Sequence, residues 1–318
     1  MKLLRLAPEN TKFGFMRFRR VSYPFSATMS IISVLLFFFV GMNFGIDFEG
    51  GTQIELRAKS GVADIASLRG TAESLGLGAV EVQRSGGDTD AVLRVGVQPG
   101  GEAAQQNAVG KLRQAFSDNY EFRSVDAVGP RVSGELEQKG TLGIVVSILA
   151  VLTYLWFRFE WQFAVGAIIG TMHDLLLTVG FFCVTQLEFN TTSIAAILTI
   201  VGYSLNETVV VLDRIREVMR KYKRLSTAEI VDMSVNAVLP RTIMTATTVF
   251  LALLALFFLG GHVIRSFSAA MIWGIFVATY SSIFICSPML IYLGVRADVF
   301  DRQGALEDQG VPISKAKG

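Results

Sequence analysis

The sequence predicts a polytopic α-helical membrane protein, with six transmembrane helices and one α+β domain inserted between helices 1 and 2. Three observations carry that expectation. The chain of 318 residues is 51% hydrophobic and only 18% charged, where a soluble domain carries about a quarter charged residues. Six stretches stay apolar over the roughly 20 residues needed to cross ~30 Å of hydrocarbon. The polar segment between the first two has strand and helix periodicities of its own. The same figures exclude disorder, collagen and a disulfide scaffold, and a net charge of +2 gives no reason to expect nucleic acid as a partner. Cys183 and Cys286 lie in apolar runs and read as small buried hydrophobes.

In chain order, residues 1–21 are a basic tail holding Lys2, Arg5, Lys12, Arg17, Arg19 and Arg20. The first span covers 22–44, too long and too late for a signal peptide. The insert, 45–139, has 10 Lys/Arg against 14 Asp/Glu. Within it, 52–56 alternates as a strand does and 63–75 has apolar residues at helical spacing. Segments 80–82 and 91–97 read as strands of a hairpin around Ser85-Gly86-Gly87-Asp88; 102–116 is a second helix and 121–128 a last strand. The order β-α-β-β-α-β is the split βαβ, ferredoxin-like arrangement. A helix from Glu135 leads back to spans at 140–157, 161–184, 192–212, 242–260 and 267–293, followed by a tail at 294–318. The loop after the fourth span carries Arg214, Arg216, Arg220, Lys221, Lys223 and Arg224. With the basic N-terminal tail it sets the orientation: both termini cytoplasmic, 45–139 periplasmic.

Ionisable groups inside spans are the informative ones, because a charge at the bilayer centre costs at least ~2.5–3.5 kcal/mol. His173 and Asp174 sit midway along the third span, Glu207 follows Asn206 in the fourth, and Arg241 is expected to open the fifth, just after Pro240. Glu207 and Arg241 fall toward the same ends of neighbouring helices. A carboxylate beside a guanidinium stays ionised, and with the guanidinium withdrawn its pKa rises, which is one way to take up and release a proton. The plainer alternative has Arg241 snorkelling to headgroups and Glu207 pairing with Asn206 or Thr208. Adjacent helical positions point ~100° apart, so His173 and Asp174 do not form one catalytic face. An interhelical hydrogen bond to Ser or Thr is the simpler account of Asp174.

Enzyme chemistry finds little support. Gly202-Tyr203-Ser204-Leu205 resembles the Gly-x-Ser-Gly of intramembrane serine proteases but lacks the last glycine, and His262 is expected in a loop. Two His and two Cys show no metal-ligand spacing, and no phosphate-binding Gly-x4-Gly-Lys-Ser/Thr occurs. No cofactor is expected. Glycine-rich segments frame the insert: Gly45, Asp47, Gly50 and Gly51 before it, and Gly129, Pro130 and Gly134 after it. They read as a hinge between domain and membrane, or as plain turns.

Together these residues resemble the SecF family of the SecDF accessory complex. Its markers are Gly-x-Asp-Phe-x-Gly-Gly-Thr at 45–52, the Val-Gly-Pro segment at 128–136, His173-Asp174, and Arg241-Thr242. A further marker, Asp213-Arg214-Ile215-Arg216-Glu217, is expected to end the fourth helix. The resemblance implies a resistance-nodulation-division type membrane fold and pairing with SecD. It also implies use of the proton motive force to help unfolded preproteins finish crossing the inner membrane through SecYEG, after SecA, with YajC as a further subunit. Glu207 and Arg241 would then serve proton transport, with Asn206, Asp174 and His173 around them. The family reads Asn-Asp where this chain has Asn206-Glu207, which keeps the carboxylate and displaces it by about one bond length. The other readings are half of a proton-coupled small-molecule or lipid exporter, and a scaffold that only displays a substrate-binding domain.

Overall fold

The computed structural model describes residues 11–85 and 87–295. A 3-10 turn at Phe15–Phe18 leads into α1 (Arg19–Phe39), and Gly41, at φ +77°, breaks it. A short α2 (Ile46–Glu49) precedes β1 (Gly51–Ala58). There follow α3 (Ile65–Ser74), β2 (Val80–Arg84), β3 (Asp90–Val95), α4 (Gly101–Phe116) and β4 (Tyr120–Val128). The remaining helices are α5 (Pro130–Arg158), α6 (Trp161–Thr185), α7 (Thr191–Lys221), α8 (Thr227–Leu259) and α9 (Gly261–Ser281). A π-helical turn at Ser282–Cys286 joins α9 to α10 (Ser287–Tyr292). Six segments are long and apolar enough to span a bilayer. The C-terminal tail beyond residue 295 lies outside the described residues.

Several boundaries differ from those expected, each for a local reason. α5 starts at Pro130 rather than Glu135, because proline at a helix start lacks only an N–H that would be unpaired anyway. α7 runs on to Lys221, so Asp213, Arg214, Arg216 and Glu217 lie within the helix instead of ending it. α8 starts at Thr227, where Ser226 and Glu229 form a reciprocal capping box. Pro240 and Arg241 therefore lie inside α8, not at its opening. His262 belongs to the first turn of α9 rather than to a loop.

The insert forms a four-stranded antiparallel sheet in the order β2-β3-β1-β4, the strand order of the split βαβ motif. Asp64 caps α3 by accepting from the backbone of Ala66 and Ser67. α3 and α4 pack on one sheet face around Ile54, Leu56, Leu93, Leu112 and Phe116. The opposite face carries the cross-strand pairs Gln53–Arg94 and Arg57–Asp90.

The helical bundle has two apolar clusters. One centres on Phe163, Leu212, Ile215 and Leu290, the other on Phe182, Ile197, Ile200 and Met271. Between them along α6, α7 and α9 falls a layer of buried polar residues, Asp174, Ser204, Glu207, Thr208 and Ser281. Small residues bring the helices together: a Cβ at Gly180 would overlap Ser33 of α1, and one at Gly274 would overlap Ile200 of α7. Cys183 and Cys286 are buried free thiols within this packing.

Gly51 has φ +120°, and a Cβ there would run into the carbonyl oxygen of Val95, whereas Gly129 has φ −73° and open space around it. Gly51→Ala should destabilise the insert by about 1–3 kcal/mol, read as a lower threshold for proteolysis, while Gly129→Ala should be silent. Arg57 bonds Asp90 at 2.6 and 3.0 Å, and this guanidinium holds the Asp90 carboxyl below the usual carboxylate range. A depressed carboxylate stabilises the fold above its unfolded pKa of ~3.9 and loses that contribution as pH falls through the folded value. The pair is partly solvent-screened, so Asp90→Asn should cost no more than about 1 kcal/mol at pH 7. That difference should vanish in denaturation measured well below pH 4.

Candidate functional site in the buried polar layer

Asp174 is 1% exposed on α6. Its Oδ2 accepts from Ser204 Oγ of α7 at 2.5 Å and from Ser281 Oγ of α9 at 2.8 Å. Its Oδ1 lies 3.1 Å from His173 Nδ1, and the His173 ring stands beside Tyr280. One carboxylate thus ties three helices together through the hydroxyls of two serines. The π turn follows Ser281 directly. Two of its carbonyls, Phe284 and Ile285, accept from Ser22 Oγ and Tyr23 OH of α1, which holds that irregular backbone in place.

Glu207 is 3% exposed and far less well served. Thr245 of α8 stands 3.2 Å from its Oε1, but the same hydroxyl also lies 3.0 Å from the carbonyls of Arg241 and Thr242. A hydroxyl has one proton, so the carboxylate competes for it with the backbone of α8. Among the described residues, Glu207 Oε2, Thr208 Oγ1 and Thr242 Oγ1 make no hydrogen bond. Arg241 sits one turn before Thr245 and is exposed, forming no ion pair with Glu207 among the described residues. Asn206 is likewise exposed, whereas Glu207 beside it is buried. The structure therefore joins Glu207 to α8 through Thr245, and it keeps His173 and Asp174 in a separate cluster one helix over.

Asp213, Arg214, Arg216 and Glu217 do something different. Asp213 takes two hydrogen bonds from Arg158, at 2.9 and 3.1 Å, and Arg216 reaches Glu160 at 2.5 Å. Both partners lie at the tight turn between α5 and α6, so α7 brackets that turn with one acidic and one basic residue. Arg214 bonds Glu217 within the helix.

The glycine-rich entry to the insert is packed rather than loose. Phe44 bridges Phe189, and Gly45 N donates to Phe189 O at 2.8 Å. A Cβ at Gly45 would strike Glu188, so glycine is needed there for room. Asp47 accepts from the backbone N and Oγ1 of Thr191, at 2.8 and 2.7 Å, and so satisfies the first turn of α7. Arg94 of β3, also bonded to Gln53 and Asn43, forms a buried ion pair with Glu188 in the loop before α7. Gly50 and Gly51 have positive φ in contact with Val97 and Val95, while Gly129, Pro130 and Gly134 mark the start of α5 with space around the glycines. Sequence reasoning singled out neither Arg94 and Glu188 nor Ser281 and Thr245. Spacing held one clue: Thr245 follows Arg241 by four residues and Ser204 precedes Glu207 by three, so each shares a helix face with its neighbour.

Two family profiles match. Residues 108–296 match the family described as protein export membrane protein SecD/SecF, C-terminal, and 35–62 match the SecD/SecF GG motif. The chain is 44% identical to the protein translocase subunit SecF of Rickettsia akari over 92% of its own length and 96% of the relative's. It is 41% identical to the protein translocase subunit SecDF of Brucella abortus over 96% of its length, and spans 40% of that longer protein. The crystal structure of SecDF from Thermus thermophilus superposes with a TM-score of 0.80 at 33% identity, covering 90% of this chain and 39% of the other. SecDF in a super-membrane-facing form gives 0.66 at 32% identity, covering 96% and 41%.

The Arg94–Glu188 pair yields a direct test of domain docking. Both side chains are nearly buried, 13% and 7% exposed. Removing Arg94 alone should cost about 3–5 kcal/mol by stranding Glu188, and removing Glu188 should cost less, because Arg94 keeps Gln53 and Asn43, and Glu81 at 3.9 Å. Removing both should cost clearly less than the sum, as a double-mutant cycle on thermal unfolding in detergent would show.

Proposed function

The chain belongs to the SecF branch of the SecD/SecF protein-export family, and from that premise we propose that it pairs with SecD as an accessory subunit of the Sec translocase and uses the proton motive force to promote late steps of preprotein export. It acts in the inner membrane with both termini cytoplasmic and the β-sheet domain periplasmic, alongside SecYEG, SecA and YajC. It hydrolyses no nucleotide. The carrying observation is Glu207: a carboxylate buried between two apolar clusters, with one oxygen unpaired and the other sharing a single threonine proton. An ionisable side chain buried in a span and short of donors marks a functional site rather than a packing contact, because each unmade hydrogen bond leaves a desolvation cost. Asp174 is the better satisfied acid of the same layer, and His173 beside it makes one contact through Nδ1 while its Nε2 has no partner among the described residues.

Arg241 and Asn206 are exposed on adjacent apolar helices. Polar groups on spans normally face a bundle interior or a partner, so these two are the contacts proposed for a carboxylate-bearing helix of SecD. A proton crossing 100 mV releases ~2.3 kcal/mol, enough to shift a two-state equilibrium by about fiftyfold. That suffices to bias a domain movement transmitted through α7, the helix that bears Glu207 and whose first turn is held by Asp47. The geometry also accommodates Glu in place of the family's Asp, since the longer side chain reaches Thr245 on the next helix.

The test follows completion of a trapped preprotein intermediate in inverted membrane vesicles containing SecD, with and without a proton gradient. Wild type should be accelerated by the gradient, and Glu207→Gln and Arg241→Met should lose that gain while SecD still co-purifies. An unchanged response in Glu207→Gln would place the coupling at Asp174 or in SecD. A silent result for Glu207→Gln, Arg241→Met and Asp174→Asn would leave a scaffold that only displays its periplasmic domain.

A further inference from the structure

Beside the polar layer, and separate from it, the bundle carries an apolar groove of about 580 Å³ where α5 leans against α6 and α7. Its walls include Phe48, Ile144, Ile148, Leu176, Val179 and Ile197. α5 is the least buried of the six spans, so the groove lies beside a helix that is open to the surroundings along most of its apolar length. At the end nearest the β-sheet domain stand two acidic residues, Glu49 of α2 and Glu137 of α5. Both are exposed, and neither forms an ion pair among the described residues.

The dimensions say what fits. From Glu137 to Ile148 along α5 is about 16 Å at the helical rise per residue, roughly one leaflet of a ~30 Å hydrocarbon layer. A groove with these walls gives water too few polar partners to occupy it. As a span with most of its apolar length unburied, α5 is open to the acyl chains of a bilayer, and one lipid tail has the shape of a single-leaflet slot. The rim adds a charge requirement: two unpaired carboxylates at the boundary repel an anionic headgroup and attract an ammonium group. We infer that this groove is a binding site for one acyl chain of an amine-bearing phospholipid, phosphatidylethanolamine, with its headgroup at Glu49 and Glu137. The bound lipid fills the wedge between α5 and the rest of the bundle just below α2, whose Phe48 forms part of the wall. It thereby supports the joint at which Asp47 and Gly45 dock the β-sheet domain.

The experiment places the full chain in nanodiscs containing equal phosphatidylethanolamine and phosphatidylglycerol, extracts it in mild detergent, and counts retained lipids by native mass spectrometry. Wild type should retain one phosphatidylethanolamine per chain in preference to phosphatidylglycerol. Glu49→Gln with Glu137→Gln should keep a lipid but lose the headgroup preference by about three- to tenfold, the range one or two interfacial charge pairs supply. Ile148→Trp, which fills the groove from the lipid-facing helix, should lose the retained lipid while the thermal transition persists. Equal retention of both lipids by wild type would overturn the headgroup assignment, and undiminished retention in Ile148→Trp would overturn the groove. Displacement of the lipid on adding SecD would identify a protein segment as the occupant instead.

Discussion

A carboxylate held in the middle of a membrane bundle is costly unless hydrogen-bond donors meet it, and the polar layer holds two acids that are met to different degrees. Asp174 has its donors: two serine hydroxyls from two other helices, with His173 on its free side. Because each donor sits on a different helix, satisfying the charge also fixes how α6, α7 and α9 pack. The close approach at Gly274 brings α9 against Ile200 of α7, and Gly180 seats α6 against Ser33 of α1. Glu207, on the same α7, has one shared hydroxyl and an unpaired oxygen. The two acids thus differ in their bonding: Asp174 fastens three helices, and Glu207 keeps one oxygen without a partner among the described residues.

The layer communicates with the insert through a short, well-bonded joint. Asp47 satisfies the start of α7, Gly45 and Phe44 pair with Phe189, and Arg94 on the sheet meets Glu188 in the same loop. Thr191 and Glu207 lie on one uninterrupted helix, about 24 Å apart along its axis. At the other end of α7, Asp213 and Arg216 grip the α5–α6 turn. One helix, bonded to Asp47 at its first turn and to Arg158 and Glu160 near its other end, thus carries the under-satisfied acid between the sheet domain and the α5–α6 turn.

Much of this was legible before any coordinates. The six apolar stretches and the β-α-β-β-α-β patterning follow from hydropathy period and turn residues, and those local rules hold because lipid and a small sheet domain each impose a strict periodicity. The helix ends were less legible. Ser226-x-x-Glu229 is a capping signal lying outside the apolar run, so a reading centred on hydropathy opened α8 fifteen residues late and put Pro240 at its start. The glycine pair at 50 and 51 announced unusual backbone, but whether it was loose or packed depended on Val95 and Val97 from another strand.

By itself the sequence determined the span count, the strand order along the chain and which acids lie inside apolar helices, since each is a property of consecutive residues. Only the tertiary structure decided who meets whom: Asp174 with Ser204 and Ser281, Glu207 with Thr245 rather than Arg241, Arg94 with Glu188. Those pairs join residues 30 to 107 positions apart. Helix rotation and packing distance choose them, and a single hydroxyl has too little sequence signal to declare its partner in advance.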